Sequence, residues 1–343
     1  MINFRDLTYE ELQDEVVSYG EQRFRAEQIF SWLHSKGVYS FDEMTNIPKK
    51  LKNVLSEKYY ITSADIVKKL ESRLDKTKKY LFRLHDGNMV ESVVMYYNHG
   101  ITICISSQVG CAMGCKFCAS TIGGLVRNLT SGEIIDQIIF AQNDIGERIS
   151  NVVMMGIGEP LANFENVSKF LKNVNDSRGL NIGYRHISLS TCGIVPGIYK
   201  LAELDIPVTL SISLHATTDS KRSSIMPVNN KYNISQLMKA CRDYQKVTGR
   251  RISYEYAIIK GVNDDDGSAH ELASLLKGEL AHVNIIPVNN VDENNFRKPD
   301  ASRIKRFCKI LEANKLTATV RRKLGSDINA SCGQLRKNNS KEV

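Results

Sequence analysis

The 343-residue chain contains no run approaching 18 apolar residues, so no membrane-spanning helix is expected. Its opening stretch, MINFRDLTYEELQDEV, is polar and acidic and lacks the basic and apolar regions of a secretory leader, so a cytoplasmic location is expected. It has no internal repeat and no low-complexity linker, which argues against a solenoid or a string of tethered modules. It also lacks the second Cys-x-x-Cys knuckle that a closed four-ligand zinc site favours. Eight cysteines without an export signal point to reducing surroundings and to metal or catalytic use, not a disulfide framework.

What is present fits a soluble globular enzyme: 42% hydrophobic and 24% charged residues, enough to bury a sizeable core. The formal charge of +8 leans toward polyanionic partners without requiring them.

The periodicity divides the chain into four stretches. In residues 1–60, Leu12, Val16, Val17, Phe24, Ala26, Ile29, Phe30 and Leu33 recur at three- to four-residue spacing, with a capping box from Thr8 to Glu11 and Gly37 as a helix end. This predicts a small helical accessory domain, either a bundle packed on the main body or an RNA-gripping appendage. Residues 61–99 alternate apolar and polar around the turn sequence HDGN, which predicts a β-hairpin extension leading into the core and carrying Glu91. Residues 100–335 hold six apolar β-runs (101–106, 152–155, 186–190, 208–214, 252–259 and 283–287) with helical patterns between most of them. Such alternation predicts an α/β fold, a partial six-stranded (β/α) barrel with its active groups at the strand ends. A last strand at 317–321 and a polar loop with Cys332 follow, and residues 336–343 are expected to be a frayed tail.

The strand ends carry the chemistry. In ITICISSQVGCAMGCKFC (101–118), Cys111, Cys115 and Cys118 are spaced Cys-x-x-x-Cys-x-x-Cys, and Gly110 and Gly114 let the backbone fold back so that three thiolates can face one centre. Three thiolates leave one iron of a four-iron cluster without a protein ligand, an open position where chemistry can occur. After the second strand, the glycines of GIGEP (156–160) leave the backbone open to a ligand, and Glu159 can accept from an ammonium group.

The cysteine spacing, with Phe117 before its last member, resembles the signature of the radical S-adenosylmethionine (SAM) enzymes. That resemblance implies a [4Fe-4S] cluster on the three cysteines, SAM on the open iron, a 5′-deoxyadenosyl radical, and an electron donor such as flavodoxin. CISSQVGCAMGCKFCAS, MGIGEPLAN, SISLHA and GSDINASCGQL together resemble the bacterial dual-specificity RNA adenine methyltransferases, over roughly two thirds of the chain. The implied enzyme is a monomer that methylates carbon 2 of one adenine in 23S rRNA and one in tRNA. That carbon lies between two ring nitrogens and is electron-poor, so ordinary attack on a SAM methyl group fails and a radical route is required.

The resemblance also implies roles for single residues. Cys332 would carry the methyl group, Cys104 would release the product by forming a disulfide with Cys332, and Glu91 would be the general base. Gly158 and Glu159 would hold the methionyl amine, with Ser190, Ser213, Leu214, His215 and Asn289 around the ribose and adenine; a purely structural role stays open for His215. Cys192, Cys241 and Cys308 are expected to be packing residues. Arg127, Arg321, Arg322, Lys323 and Arg336 are candidates for phosphate contacts, weighed against ordinary solvated charge. Two alternatives remain. One is methylation of carbon 8 of the same ribosomal adenine, an antibiotic-resistance activity that the proline of GEPLAN disfavours. The other is a non-catalytic, zinc-bound RNA-binding module.

Overall fold

Fourteen apolar side chains at the amino-terminal end, among them Phe4, Leu12, Ile29, Phe30, Leu33, Met44 and Leu55, converge on a core of their own. In this computed structural model, which describes residues 1–62, 65–289, 291 and 294–336, they come from three helices, α1 (Tyr9–Ser18), α2 (Phe24–Ser31) and α3 (Lys49–Lys58), and from the turns and loops around them. The Thr8–Glu11 capping box forms, satisfying two otherwise orphaned backbone donors. α2 runs on as one π-helical turn to Lys36 and stops at Gly37, whose φ is +65°. A Cβ at Gly37 would also lie 2.5 Å from Ile139 Cγ2, so glycine serves both the helix end and the contact with the main body.

Arg5 clamps this unit to the rest. Its buried guanidinium donates to Asp136 Oδ1 at 2.8 Å and to the carbonyls of Leu33 (3.1 Å), Thr62 (3.2 Å) and Val38. The helical unit thus packs on the main body as a bundle, joined through a desolvated cation whose donors are used on both sides.

Three antiparallel strands follow: β1 (Asp65–Glu71), β2 (Lys78–Arg83) and β3 (Met89–Tyr97). The expected hairpin turn forms, with Leu84 N donating to Asn88 O at 2.7 Å and Gly87 at φ +82°. The extension is nevertheless a three-stranded meander, one strand more than the expected hairpin. β1, DIVKKLE, has partly exposed faces and charged residues, so no clean alternation marks it.

β3 pairs antiparallel with β4 (Gly100–Cys104), and from there every neighbour is parallel. β5 (Ile149–Met154), β6 (Ile187–Thr191), β7 (Thr209–Ser213), β8 (Ile252–Ile258), β9 (Ala281–Pro287) and β10 (Ala318–Val320) follow in chain order, giving one ten-stranded sheet from β1 to β10. Parallel neighbours need crossovers, and each is helical. These are α4 (Ser131–Ile145), α5 (Phe164–Asn175), α6 (Val195–Glu203), the pair α7 (Asp219–Ile225) and α8 (Ile234–Thr248), α9 (Asp266–Leu275) and α10 (Ala301–Ala313). The six expected strands are all present with ends moved by a few residues, and the expected last strand at 317–321 forms as the short β10, the seventh parallel strand. Ile134, Ile138, Val152, Leu189, Ile212, Tyr254 and Ile285 are buried between sheet and helices, each contributing roughly 1.5–3 kcal/mol. Residues from the ends of β5 through β10 line one cavity, so the sheet is curled into a partial barrel. The expected frayed tail lies, from residue 337 onward, outside the described residues.

His34 gives the fold a pH dependence of known sign. Its ring is buried against Phe30 (centroids 4.2 Å apart), neither ring nitrogen has a hydrogen-bond partner among the described residues, and burial lowers its pKa to about 3. The depressed value means that unfolding takes up a proton once the pH falls below the ordinary histidine value. Stability is therefore present above about pH 6.5 and lost as the pH falls, at up to about 1.4 kcal/mol per pH unit. Urea unfolding of His34→Leu should show a shallower loss of stability than wild type between pH 6.5 and pH 5. Parallel curves would contradict the assignment.

Candidate active site

The loop after β4 is braced by a two-stranded antiparallel ladder, Gln108–Gly110 with Leu125–Asn128, that encloses the three cysteines. Gly110 (φ +76°) and Gly114 (φ +68°) turn the chain back, and Lys116 N donates to Ile225 O at 3.0 Å. As a result Cys111, Cys115 and Cys118 all line a cavity of about 150 Å³. Burial pushes each thiol above its usual range, Cys111 to about 12, and a bound cation would favour the thiolates.

The GIGEP turn forms the next wall. Glu159 is buried, and its carboxylate accepts from Leu161 N (3.0 Å) and Cys192 N (2.7 Å). Burial raises its pKa. The glycines have a second reason beside the expected one. A Cβ at Gly156 would lie 2.6 Å from Ile105 O, and one at Gly158 (φ +104°) would lie 2.6 Å from Gln108 Cβ. Close approach of this turn to the chain before the cysteines requires glycine, and Gly156 and Gly158 also line the cavity.

Ser190, Ser213, His215 and Asn289 line the same cavity, each from a strand end. Leu214 does not. Its side chain is in the sheet–helix core, its N–H donates to Glu255 O and its carbonyl accepts from Arg222 Nε. His215 both lines the cavity and serves the frame. Its Nδ1 accepts from Ala257 N at 2.9 Å, its φ is +57°, its ring meets Phe117 edge-on at 5.0 Å, and burial lowers its pKa to about 3. The imidazole is therefore neutral at physiological pH.

Cys332 arrives from the other end of the chain. Ala119 N donates to Gly333 O at 2.7 Å, Ser120 Oγ to Leu335 O at 2.8 Å, and Asn289 Nδ2 to Cys332 O at 3.0 Å. Cys332 lines the first cavity and also an adjoining one of about 750 Å³, whose walls include Cys104, Tyr97, Lys298, Arg322 and Lys323. Burial pushes the Cys104 thiol up to about 12. Glu91 lies on the same sheet face, two residues before Val93, which is opposite Cys104. It lines neither cavity, and its carboxylate meets Lys79 Nζ and Arg336 N, each at 2.8 Å.

The basic candidates separate. Arg127 is committed to Asp86 (2.6 Å) and Glu133 (2.7 Å). Arg321 turns inward, lining both cavities with Nη1 3.4 Å from Met155 Sδ and 3.8 Å from Glu255 Oε2, instead of facing solvent. Arg322 and Lys323 are exposed at the larger cavity. Arg336 offers its backbone N–H to Glu91.

Sequence reasoning missed several lining or framing residues. Glu255 was visible as a charge inside the apolar strand ISYEYAI. Arg222, which donates to the carbonyls of Cys192, Ser213 and Leu214 and to Asn229, carried no signal. Cys192, expected to be packing only, faces the cavity, whereas Cys241 is in the main core and Cys308 packs against it.

Two family models match, "Ribosomal RNA large subunit methyltransferase N-terminal domain" over residues 2–61 and "Radical SAM superfamily" over residues 105–273. A "Probable dual-specificity RNA methyltransferase RlmN" of Alkaliphilus oremlandii is 56% identical over 98% of both chains, and one of Clostridioides difficile is 54% identical over the same shares. The chain belongs to the radical SAM dual-specificity RNA methyltransferases. The crystal structure of a radical SAM methyltransferase from Sphaerobacter thermophilus superposes with a TM-score of 0.94 at 43% identity, covering 98% of this chain and all of the other.

Members of the radical SAM superfamily use a [4Fe-4S] cluster and SAM, and the residues present fit both. Among the described residues no three His, Cys, Asp or Glu side chains are gathered tightly enough for a single metal ion. A cube of four irons instead takes one thiolate per iron and spaces them more widely, and three buried thiols around one void suit it. The family assignment sets the zinc-module alternative aside. Cys111, Cys115 and Cys118 would hold the cluster, and Glu159 with the serines of β6 and β7 would face SAM.

Gly158→Ala should cost more than about 2 kcal/mol in chemical denaturation, because a left-handed φ and a backbone-level clash are combined. Stability within about 0.5 kcal/mol of wild type would show that the turn has slack.

Proposed function

We propose that this RNA methyltransferase modifies carbon 2 of an adenine in 23S rRNA and in tRNA, with Cys332 carrying the one-carbon unit and Cys104 releasing the product. One observation carries the reading: Cys332 lines both the cavity of the three cysteines and the larger cavity that holds Cys104. A carrier must face the source of its cargo on one side and the acceptor on the other. The bound cluster and SAM supply the methyl group and a carbon-centred radical.

The protein's own residues supply the rest. Cys332 holds the carbon as a thioether, and its linkage to carbon 2 tethers the base to the strap. Glu91 takes the proton from carbon 2, and the unpaired electron of the adduct would leave to the one-electron acceptor that the bound cluster supplies. Cys104 Sγ then attacks Cys332 Sγ, forming a disulfide; the S–C electron pair stays with the carbon, which takes up a proton to become the methyl group. Two electrons from a thiol or a protein donor restore both cysteines. In the present conformation Glu91 is engaged by Lys79 and by the strap at Arg336, so its part requires the strap to shift.

Lys298, Arg322 and Lys323 at the larger cavity, together with the +8 charge, support entry of a polyanion from that side. Among the described residues no helix is long and apolar enough to cross a membrane, and the free cysteines suit a reducing cytoplasm. The enzyme would act there as a monomer, reduced by a flavodoxin-like donor.

Anaerobic incubation with unmodified RNA and methyl-labelled SAM tests the reading. Wild type should place label on carbon 2, as read by mass spectrometry of the nucleosides. Cys332→Ala should transfer none, and Cys104→Ala should leave RNA covalently attached to protein on a denaturing gel. Normal transfer by Cys332→Ala would overturn the carrier role, and label at carbon 8 would overturn the regiochemistry.

A further inference from the structure

Strands β2 and β3 put one ion pair beneath the strap that carries Cys332. Lys79 on β2 is opposite Val93 on β3, and Glu91 is opposite Leu81, so the two charged residues are diagonal neighbours on one face. Lys79 Nζ meets Glu91 Oε1 at 2.8 Å, with only 4% and 1% of the two side chains exposed. Beside them Val93, Met95 and Cys104 form an apolar cluster with Leu324, Ala330 and Leu335 of the strap. A buried ion pair gains little net stability against its desolvation cost, so its place here points to a positional use. Both partners also reach the strap, one on each side of Cys332. Lys79 Nζ donates to Asn329 O at 3.3 Å, and Glu91 Oε2 accepts from Arg336 N at 2.8 Å.

We propose that Lys79 is a positioning residue of the transfer reaction, holding the strap, and with it Cys332, in its resting place while it holds the base carboxylate of Glu91. The ammonium acts through its two acceptors and touches neither the RNA nor SAM. Asn329 precedes Cys332 by three residues and Arg336 follows it by four, so the one pair grips the carrier from both sides. Because a single pair makes both contacts, lifting the strap opens them together. Carrier and base are therefore released in one movement, and the carboxylate is not freed while Cys332 stays seated. Charge-assisted bonds in a site closed to water are strong enough to hold this resting state. The proposal rests on the carrier role of Cys332 and the base role of Glu91 given above.

Hydrogen–deuterium exchange of the cluster-loaded protein, without SAM or RNA, tests the hold on the strap. In Lys79→Met, peptides from residues 324–336 should exchange at least about tenfold faster than in wild type, with the crossover helices unchanged. The double variant, Lys79→Met with Glu91→Gln, leaves no lone buried charge to prevent folding and should show the same local rise. In single turnovers with methyl-labelled SAM and RNA, the covalent protein–RNA adduct should persist at least about tenfold longer in Lys79→Met, which a mere brace would not cause. Unchanged strap exchange in the double variant, or a rise spread evenly over sheet and strap, would overturn the proposal. Faster strap exchange with an adduct that resolves at the wild-type rate would uphold the hold on the strap and overturn the hold on the base. Wild type that places no label on Cys332 would overturn the carrier reading instead, and the exchange result is independent of it.

Discussion

The whole site depends on a strap near the end of the chain being fastened to the cysteine loop. Two hydrogen bonds, Ala119 N to Gly333 O and Ser120 Oγ to Leu335 O, join the segment after Cys118 to the segment after Cys332, and Asn289 adds a third at the Cys332 carbonyl. Neighbouring residues do not hold Cys332 there; the barrel sheet does, by setting where both segments leave it. Each such bond contributes about 1 kcal/mol net, so the strap is positioned firmly yet can move without unfolding the barrel. That balance suits a residue asked to face two cavities in turn. It also suits Glu91, whose carboxylate is tied to the same strap.

The parallel sheet sets the frame. Its strands run in chain order, so successive strand ends present Glu159, Ser190, Ser213, His215 and Asn289 around one opening. Burying so many polar groups would be costly if they were left alone. Here they are satisfied. Arg222 binds three strand-end carbonyls, and Glu159 accepts from two backbone N–H groups.

Legibility in the sequence followed local physics. The six β-runs and the capped helices were readable because period-2 and period-3.6 patterns arise from each segment alone. The cysteine loop was readable because its spacing is compact. β1 was not, because its faces are partly wet, whereas β10, though only three residues long, was readable from its β-branched run. Contacts that depend on tertiary closure were invisible. The inward turn of Arg321, the commitment of Arg127 to two carboxylates, the exclusion of Leu214 and the cavity-facing thiol of Cys192 all follow from how the sheet curls. The glycines of GIGEP show the same limit, since their place beside the cavity was readable while their contact with 105–108 was not.

The central claim is that the sulfur of Cys332 is the one-carbon carrier, and peptide mass spectrometry of the SAM-treated enzyme reads it directly. Digestion after anaerobic incubation with methyl-labelled SAM, before any RNA is added, should yield the peptide containing Cys332 heavier by one labelled methyl group on Sγ, with Cys104 unmodified. Label on Cys104 or Cys192, or no labelled cysteine in enzyme that goes on to methylate RNA, would contradict the account.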